Sequence, residues 1–241
     1  MKEKTLFITG GAKRIGAVTA KYFHKRGYKI ILHYNNSEQA AQDLIDELNS
    51  KRANSCQSIK ADFSSRNSMD TFIEEFKSLT SGVDVLVNNA SSFYPTPIQE
   101  ATKEQWNNLL DTNATAPLFL IKAFSEELKK NHGSVINISD TLATSGIKNF
   151  SLYSSAKAAL EALTKSLAKE LAPEIRVNAV APGAILWPEG TDISDEAKEV
   201  ILSKIDLGRI GTPEDIASAI FFLSEASYIT GQVIKVDGGR S

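Results

Sequence analysis

The feature that most narrows what this chain can become is an alternation of seven short runs, rich in β-branched and apolar residues, with longer stretches at helical spacing. The runs are Thr5 to Thr9, Lys29 to Tyr34, Ser55 to Ala61, Val83 to Asn88, Ser134 to Ser139, Ile175 to Val180 and Gln232 to Val236. Strands joined through helical crossovers run parallel, and strands buried on both faces read as nearly continuous apolar runs, as Val83, Val85, Leu86 and Val87 do. A chain of 241 residues with 42% hydrophobic content can bury one core of this kind. The pattern therefore predicts an α/β fold over residues 1–241 as a single domain, doubly wound in three α/β/α layers around a mostly parallel seven-stranded sheet. Ligands of such sheets collect at the carboxyl ends of the strands, where the strand order reverses.

Helix signals fit the same frame. Ser37 precedes Glu38 to Leu48 as a cap, and Thr212-Pro213-Glu214-Asp215 supplies a cap, a proline at the first helical position and early acidic residues. The least regular stretch, from Pro182 to about Ser194, contains Gly183, Trp187, Pro188 and Gly190, and a substrate lid is expected at about 184–205.

With 27 basic and 29 acidic residues the formal charge is -2, which gives no electrostatic footprint for nucleic acid or an anionic membrane and favours a small-molecule partner. Cys56 is the only cysteine, so no intramolecular disulfide can form, and a cytoplasmic address is expected. The opening apolar run is too short for a signal segment or a membrane span, and no metal site is expected.

Run one ends in Thr9-Gly10-Gly11-Ala12-Lys13-Arg14-Ile15-Gly16 and leads into a helical segment. Glycines let a backbone turn tightly and approach a pyrophosphate, and a helix N-terminus offers free N–H groups with partial positive charge. The loop resembles the TGxxxGxG turn of the short-chain dehydrogenases, with Arg14 in place of the middle glycine. Arginine there can pair with a ribose 2′-phosphate, and run two ends in His33-Tyr34-Asn35-Asn36-Ser37 without a carboxylate to repel one. Both features point to NADPH. Alternatively, Lys13 and Arg14 are solvated loop charges and Ser37 is only a cap.

Tyr153 and Lys157 stand four apart at the start of a helical segment, hence on one face. An ammonium beside a tyrosine favours its ionised form and makes it a better proton-transfer partner near neutrality. The resemblance to the short-chain dehydrogenases extends from Thr9 to Asp237-Gly238-Gly239 and includes Asn88-Asn89-Ala90, Asn113 and Pro182-Gly183. It implies a Rossmann-like fold and a homotetramer. Gly10, Ile15 and Gly16 would meet the pyrophosphate, with Arg14, Tyr34, Asn35, Asn36 and Ser37 at the ribose phosphate and Asp62 and Phe63 at adenine. Asn89, Ala90 and Ser91 would line the cofactor path, Pro182, Gly183, Ala184 and Ile185 would meet the nicotinamide, and Lys157 would hold its ribose. Asn113 would hold a proton-relay water. Each also has a plain structural reading: Asp62 as a helix cap, Asn89 as a turn former, Asn113 as a backbone bridge.

In the general family a serine stands thirteen residues before the tyrosine and binds a substrate carbonyl; here Asp140 stands there, with Ser139 one residue out of register. A carboxylate stabilises an oxyanion poorly but accepts hydrogen bonds well from an amino-substituted nitrogen heterocycle. Asp140, the TGxAKRxG loop and the stretch Asn88 to Pro97 resemble the pteridine reductase branch. That likeness implies NADPH-dependent reduction of a pterin or dihydropterin, such as a dihydrobiopterin or dihydrofolate, to the tetrahydropterin. Ser91, Phe93, Asp140, Tyr153, Leu186 and Trp187 would meet the substrate, and Phe93 would stack on its ring; on composition alone Phe93 reads as core. The rivals are an NADPH-dependent carbonyl or 3-oxoacyl reductase, which would prefer serine at position 140, and a cofactor-sensing regulator without chemistry.

Overall fold

The structure, a computed structural model, describes residues 3–63, 68–80, 82–187 and 194–240. The seven expected strands are present: β1 (Thr5–Ile8), β2 (Lys29–Tyr34), β3 (Cys56–Lys60), β4 (Val85–Asn88), β5 (Ser134–Ile138), β6 (Arg176–Pro182) and β7 (Val233–Val236). They form one sheet in the order β3-β2-β1-β4-β5-β6-β7, and every pairing is parallel. The sheet is thus more uniform than the expected mostly parallel one. β6 runs two residues past Val180 because Ala181 and Pro182 still pair with Lys235 and Val236 of β7.

Alternating side chains divide the core between the two faces. Leu6, Ile8, Ile30 and Leu32 pack on α1 (Arg14–His24), α2 (Glu38–Lys51) and the late helix Pro213–Glu225, through Phe23, Leu44 and Ile220. Phe7, Ile31, Leu86 and Val135 face the other side, where α3 (Ser68–Leu79) contributes Phe72 and Phe76. Beyond it lie α4 (Lys103–Leu110), α5 (Ala116–Ala123), α6 (Ser125–Lys130) and α7 (Ser151–Glu170). These strand side chains are fully buried on both faces, as expected for a sheet covered twice.

β1, β2 and β3 step outward in one direction and β4 to β7 in the other, so the switch lies between β1 and β4. The loops leaving these two strands must diverge, and the crevice between them is the ligand position of such sheets. A π-helical turn, Asp111–Thr115, interrupts the path from α4 to α5 beside this crevice; single π turns of this kind often mark functional sites.

The caps differ from expectation at one helix. Ser37 takes the position before α2, but its side chain makes no cap hydrogen bond, because its backbone (φ -100, ψ 51) is not the extended conformation that aims a cap hydroxyl at the first turn. Thr212 does cap the late helix, α9, in a reciprocal box with Asp215, and Pro213 is its first residue. In the expected lid, residues 188–193 lie outside the described residues. The remainder carries α8 (Asp195–Leu202), capped by Ser194 and burying none of its side chains. Among the described residues, no helix is long and apolar enough to cross a membrane.

Candidate active site

Two cavities open at the carboxyl ends of the strands, with Ser91 on the wall of both. One, of about 480 Å³, lies beside the β1–α1 turn and the ends of β2 and β3. It brings together Gly10, Tyr34, Asn35, Asn36, Ser37, Asp62, Phe63 and Ala90, as well as Lys13 and His33. The other, of about 620 Å³, gathers Arg14, Ile15, Asn89, Phe93, Asp140, Tyr153, Lys157, Pro182, Gly183, Ile185 and Leu186. Gly16, Asn113, Ala184 and Trp187 line neither. Gly16 packs α1 on the turn, since a Cβ there would lie 2.2 Å from the Gly10 carbonyl oxygen, and the Ala184 carbonyl accepts from the Gly211 amide.

Arg14 and Lys13 thus face opposite ways. Arg14 holds a left-handed backbone (φ 51), and its side chain stands on the wall shared with Asp140 and Tyr153, whereas Lys13 stands with Asn35, Asn36 and Ser37. Lys13 thus joins Arg14 as a second cation beside the crevice, on the wall that carries Asn35, Asn36 and Ser37.

The crevice suits a dinucleotide. α1 begins after an extended Lys13 with no side-chain cap and no acidic residue in its first turn, so no carboxylate competes with a pyrophosphate for its N-terminal end. The turn itself is stitched to the β4 loop: Asn89 Nδ2 donates to the carbonyls of Thr9 and Gly10 (2.9 and 3.0 Å), and Thr9 Oγ1 accepts from the Asn89 and Ala90 amides (2.9 Å each). Asn89 is more than a wall of the cofactor path, because it fixes the height of the turn. Among the described residues there is no cluster of ligating side chains for a metal ion.

α7 presents Tyr153 and Lys157 on one face, both nearly buried. The Tyr153 hydroxyl donates to Asp140 Oδ2 at 3.0 Å, and the Leu142 amide donates to Asp140 Oδ1 at 2.8 Å. Lys157 Nζ donates to the Ile138 carbonyl at 2.8 Å and lies 5.8 Å from the centre of the Tyr153 ring. Burial, then the Asp140 charge and its hydrogen bond, push the Tyr153 phenol well above its ordinary range. Burial lowers the Lys157 ammonium to about 8, with the Asp140 charge opposing. Burial first and the carboxylate second therefore set the balance at Tyr153, and the phenol keeps its proton at neutral pH. Ser139 turns away, its hydroxyl donating to Glu161 at 2.7 Å, as a one-residue shift in register requires.

Asn113, fully buried in the π turn, accepts from the Ser91 hydroxyl at 2.7 Å and donates to the carbonyls of Ser92 and Leu109. Both amide protons are used, so the side chain braces the Ser91–Ser92 loop. Phe93 is 56% exposed and not core, contrary to the reading from composition. Its ring stacks on Phe150 (4.6 Å, 13°) and meets Tyr153 edge-on (4.8 Å, 77°). Phe150 was not legible as a site residue; the only sequence signal was an aromatic one turn before Tyr153.

A family profile described as "Enoyl-(Acyl carrier protein) reductase" matches residues 10–241. Pteridine reductase 1 of Leishmania tarentolae is 36% identical over an alignment of 276 positions, covering 97% of this chain and 95% of that protein. The 3-oxoacyl-[acyl-carrier-protein] reductase FabG of Staphylococcus aureus (strain Mu50 / ATCC 700699) is 35% identical over 240, covering 98% and 97%. The protein of the same name from Chlamydia muridarum is also 35% identical, covering 99% and 97%.

Two outcomes follow from this geometry. Lys13→Ala is expected to raise KM for NADPH about tenfold, as loss of one charge-assisted phosphate contact would, with little change for NADH; Arg14→Ala should affect both cofactors alike. Initial rates with each cofactor measure this, and the reverse pattern would give the phosphate to Arg14. Because the folded Lys157 value lies below its unfolded one, burying the ammonium costs stability at pH 7, and that cost fades as pH rises through about 8 toward the unfolded value. Lys157→Met should therefore raise Tm at pH 7 while abolishing turnover, and a lower Tm would mean that the bond to the Ile138 carbonyl outweighs the charge.

Proposed function

The chain belongs to the short-chain dehydrogenase/reductase family of oxidoreductases, and from that premise we propose that it reduces a pterin or dihydropterin to the tetrahydropterin with NADPH. Its relatives' names point both to pteridine reduction and to 3-oxoacyl reduction at nearly equal identity, so the choice rests on the site. The observation that carries it is Asp140, thirteen residues before Tyr153 and bonded to its hydroxyl. A carboxylate here offers acceptors where a keto substrate needs a donor, and it suits the amino group and ring N–H of a pterin.

When bound, NADPH supplies the hydride, which goes to the carbon of a ring C=N bond while the nitrogen takes a proton. Tyr153, held protonated by its surroundings, delivers that proton. Asp140 fixes the heterocycle by its polar edge, and Phe93 offers an exposed aromatic face to it, an arrangement that contributes about 0.5 to 1.5 kcal/mol and orients the ring for transfer. Lys157 holds the nicotinamide ribose, and Ser91, braced by Asn113, contacts both partners. A homotetramer and a cytoplasmic address belong to the same proposal, the first resting on the resemblance alone and the second on the single cysteine, Cys56. The second reading, reduction of a 3-oxoacyl thioester, has the support of the acyl-carrier-protein reductase relatives.

Asp140→Ser tests the assignment. Losing charge-assisted hydrogen bonds of about 1.5 to 3 kcal/mol should lower kcat/KM for a dihydropterin by about 10- to 100-fold and should improve any activity on a 3-oxoacyl thioester. Unchanged pterin turnover would refute the role.

A further inference from the structure

His33 ends in no role that the sequence assigned, yet it meets the cofactor crevice at three points. It lies near the end of β2, is 3% exposed and lines the cavity of Lys13 and Ser37. The Gly10 amide donates to its Nδ1 at 3.2 Å, and its Nε2 lies 3.0 Å from the Ala61 carbonyl. An amide can only donate, so Nδ1 is the bare nitrogen and Nε2 carries the proton, which makes both bonds good with a neutral ring. The Gly11 amide donates to the His33 carbonyl at 2.9 Å. Finally, the ring stacks on Phe63 at 4.1 Å and 26°.

Two consecutive amides of the glycine turn are thereby consumed by one residue. They cannot bind a pyrophosphate, which leaves that task to the residues opening α1. The turn is clamped from both sides, by His33 at its amides and by Asn89 at its carbonyls. The same ring fixes Ala61 and Phe63, which flank Asp62 in the cavity wall.

We propose that His33 is a positioning residue for the dinucleotide: it ties the glycine turn to the Asp62–Phe63 wall, so that the pyrophosphate end and the adenosine end of the crevice keep a fixed separation. It touches neither reacting atom, and its effect falls on cofactor binding rather than on the chemical step. Protonation would place an N–H against the Gly10 amide and open the clamp; burial lowers the ring to about 4 and keeps it neutral through the working range. The bond to the Ala61 carbonyl and then the Asp62 charge oppose that shift, and Lys13 lines the same cavity.

The test is NADPH binding by fluorescence titration without a second substrate, so that the result stands whether or not the pterin reading does. His33→Phe keeps the stacked ring and loses both hydrogen bonds; it should weaken NADPH about tenfold or more and NADH by the same factor. His33→Asn keeps an acceptor close to Nδ1 and should recover part of the loss. In turnover, KM for NADPH should rise in the same order while kcat changes by less than about threefold. Binding by His33→Phe within twofold of the parent, or a fall in kcat without a change in KM, would overturn the proposal. Should the phenylalanine variant not fold, ¹⁵N spectra of the parent decide: an Nε2–H tautomer from pH 8 to 5, with and without NADPH, is expected, and an Nδ1–H or charged ring would refute it.

Discussion

The divergence of the chain between β1 and β4 is the constraint on which the site depends. The connections that follow β1 and β4 step away from this seam in opposite directions, which opens a crevice but also leaves two loops without strand partners. Thr9 and Asn89 join those loops through four hydrogen bonds of about 2.9 to 3.0 Å. Each satisfies a backbone group just past the carboxyl end of a central strand, and leaving such a group unsatisfied costs about 1 to 3 kcal/mol. The turn then places Lys13 on the wall of one cavity and Arg14, the first residue of α1, on the wall of the other.

Around Asp140 the electrostatics are organised by burial. A carboxylate, a phenol and an ammonium sit on one cavity wall, and the carboxylate acts on both of the others. The carboxylate and the dry surroundings keep the phenol protonated, and the same dryness lowers the ammonium toward neutrality. Lys157 donates to the Ile138 carbonyl and Tyr153 to Asp140, and all three side chains belong to residues that line the cavity. A substrate offering N–H groups would share the acceptors of Asp140, leaving the phenolic proton available for transfer.

Much of the fold was legible because its signals are local. Strand β2 appears where Ile30, Ile31 and Leu32 run together, and the Thr212–Asp215 cap follows from hydroxyl and carboxylate spacing alone. The parallel direction of most strands followed from the alternation of elements, whereas their order did not. What escaped depends on backbone angles or on contacts between distant segments. The positive φ of Arg14 separates its side chain from that of Lys13, and the π turn at Asn113 is spelled like ordinary helix. Phe93 reads as core until it is found on a rim, held by a phenylalanine 57 positions away, and His33 looks like one more strand residue until two backbone groups converge on it.

The central claim is that a carboxylate at position 140 commits this reductase site to a nitrogen heterocycle. The most direct measurement is NADPH oxidation at 340 nm by the purified protein with dihydrobiopterin, dihydromonapterin, dihydrofolate and an acetoacetyl thioester as separate substrates. The account expects turnover of the pterin substrates and none of the thioester. Turnover of the thioester alone would contradict it and would give Asp140 a different role.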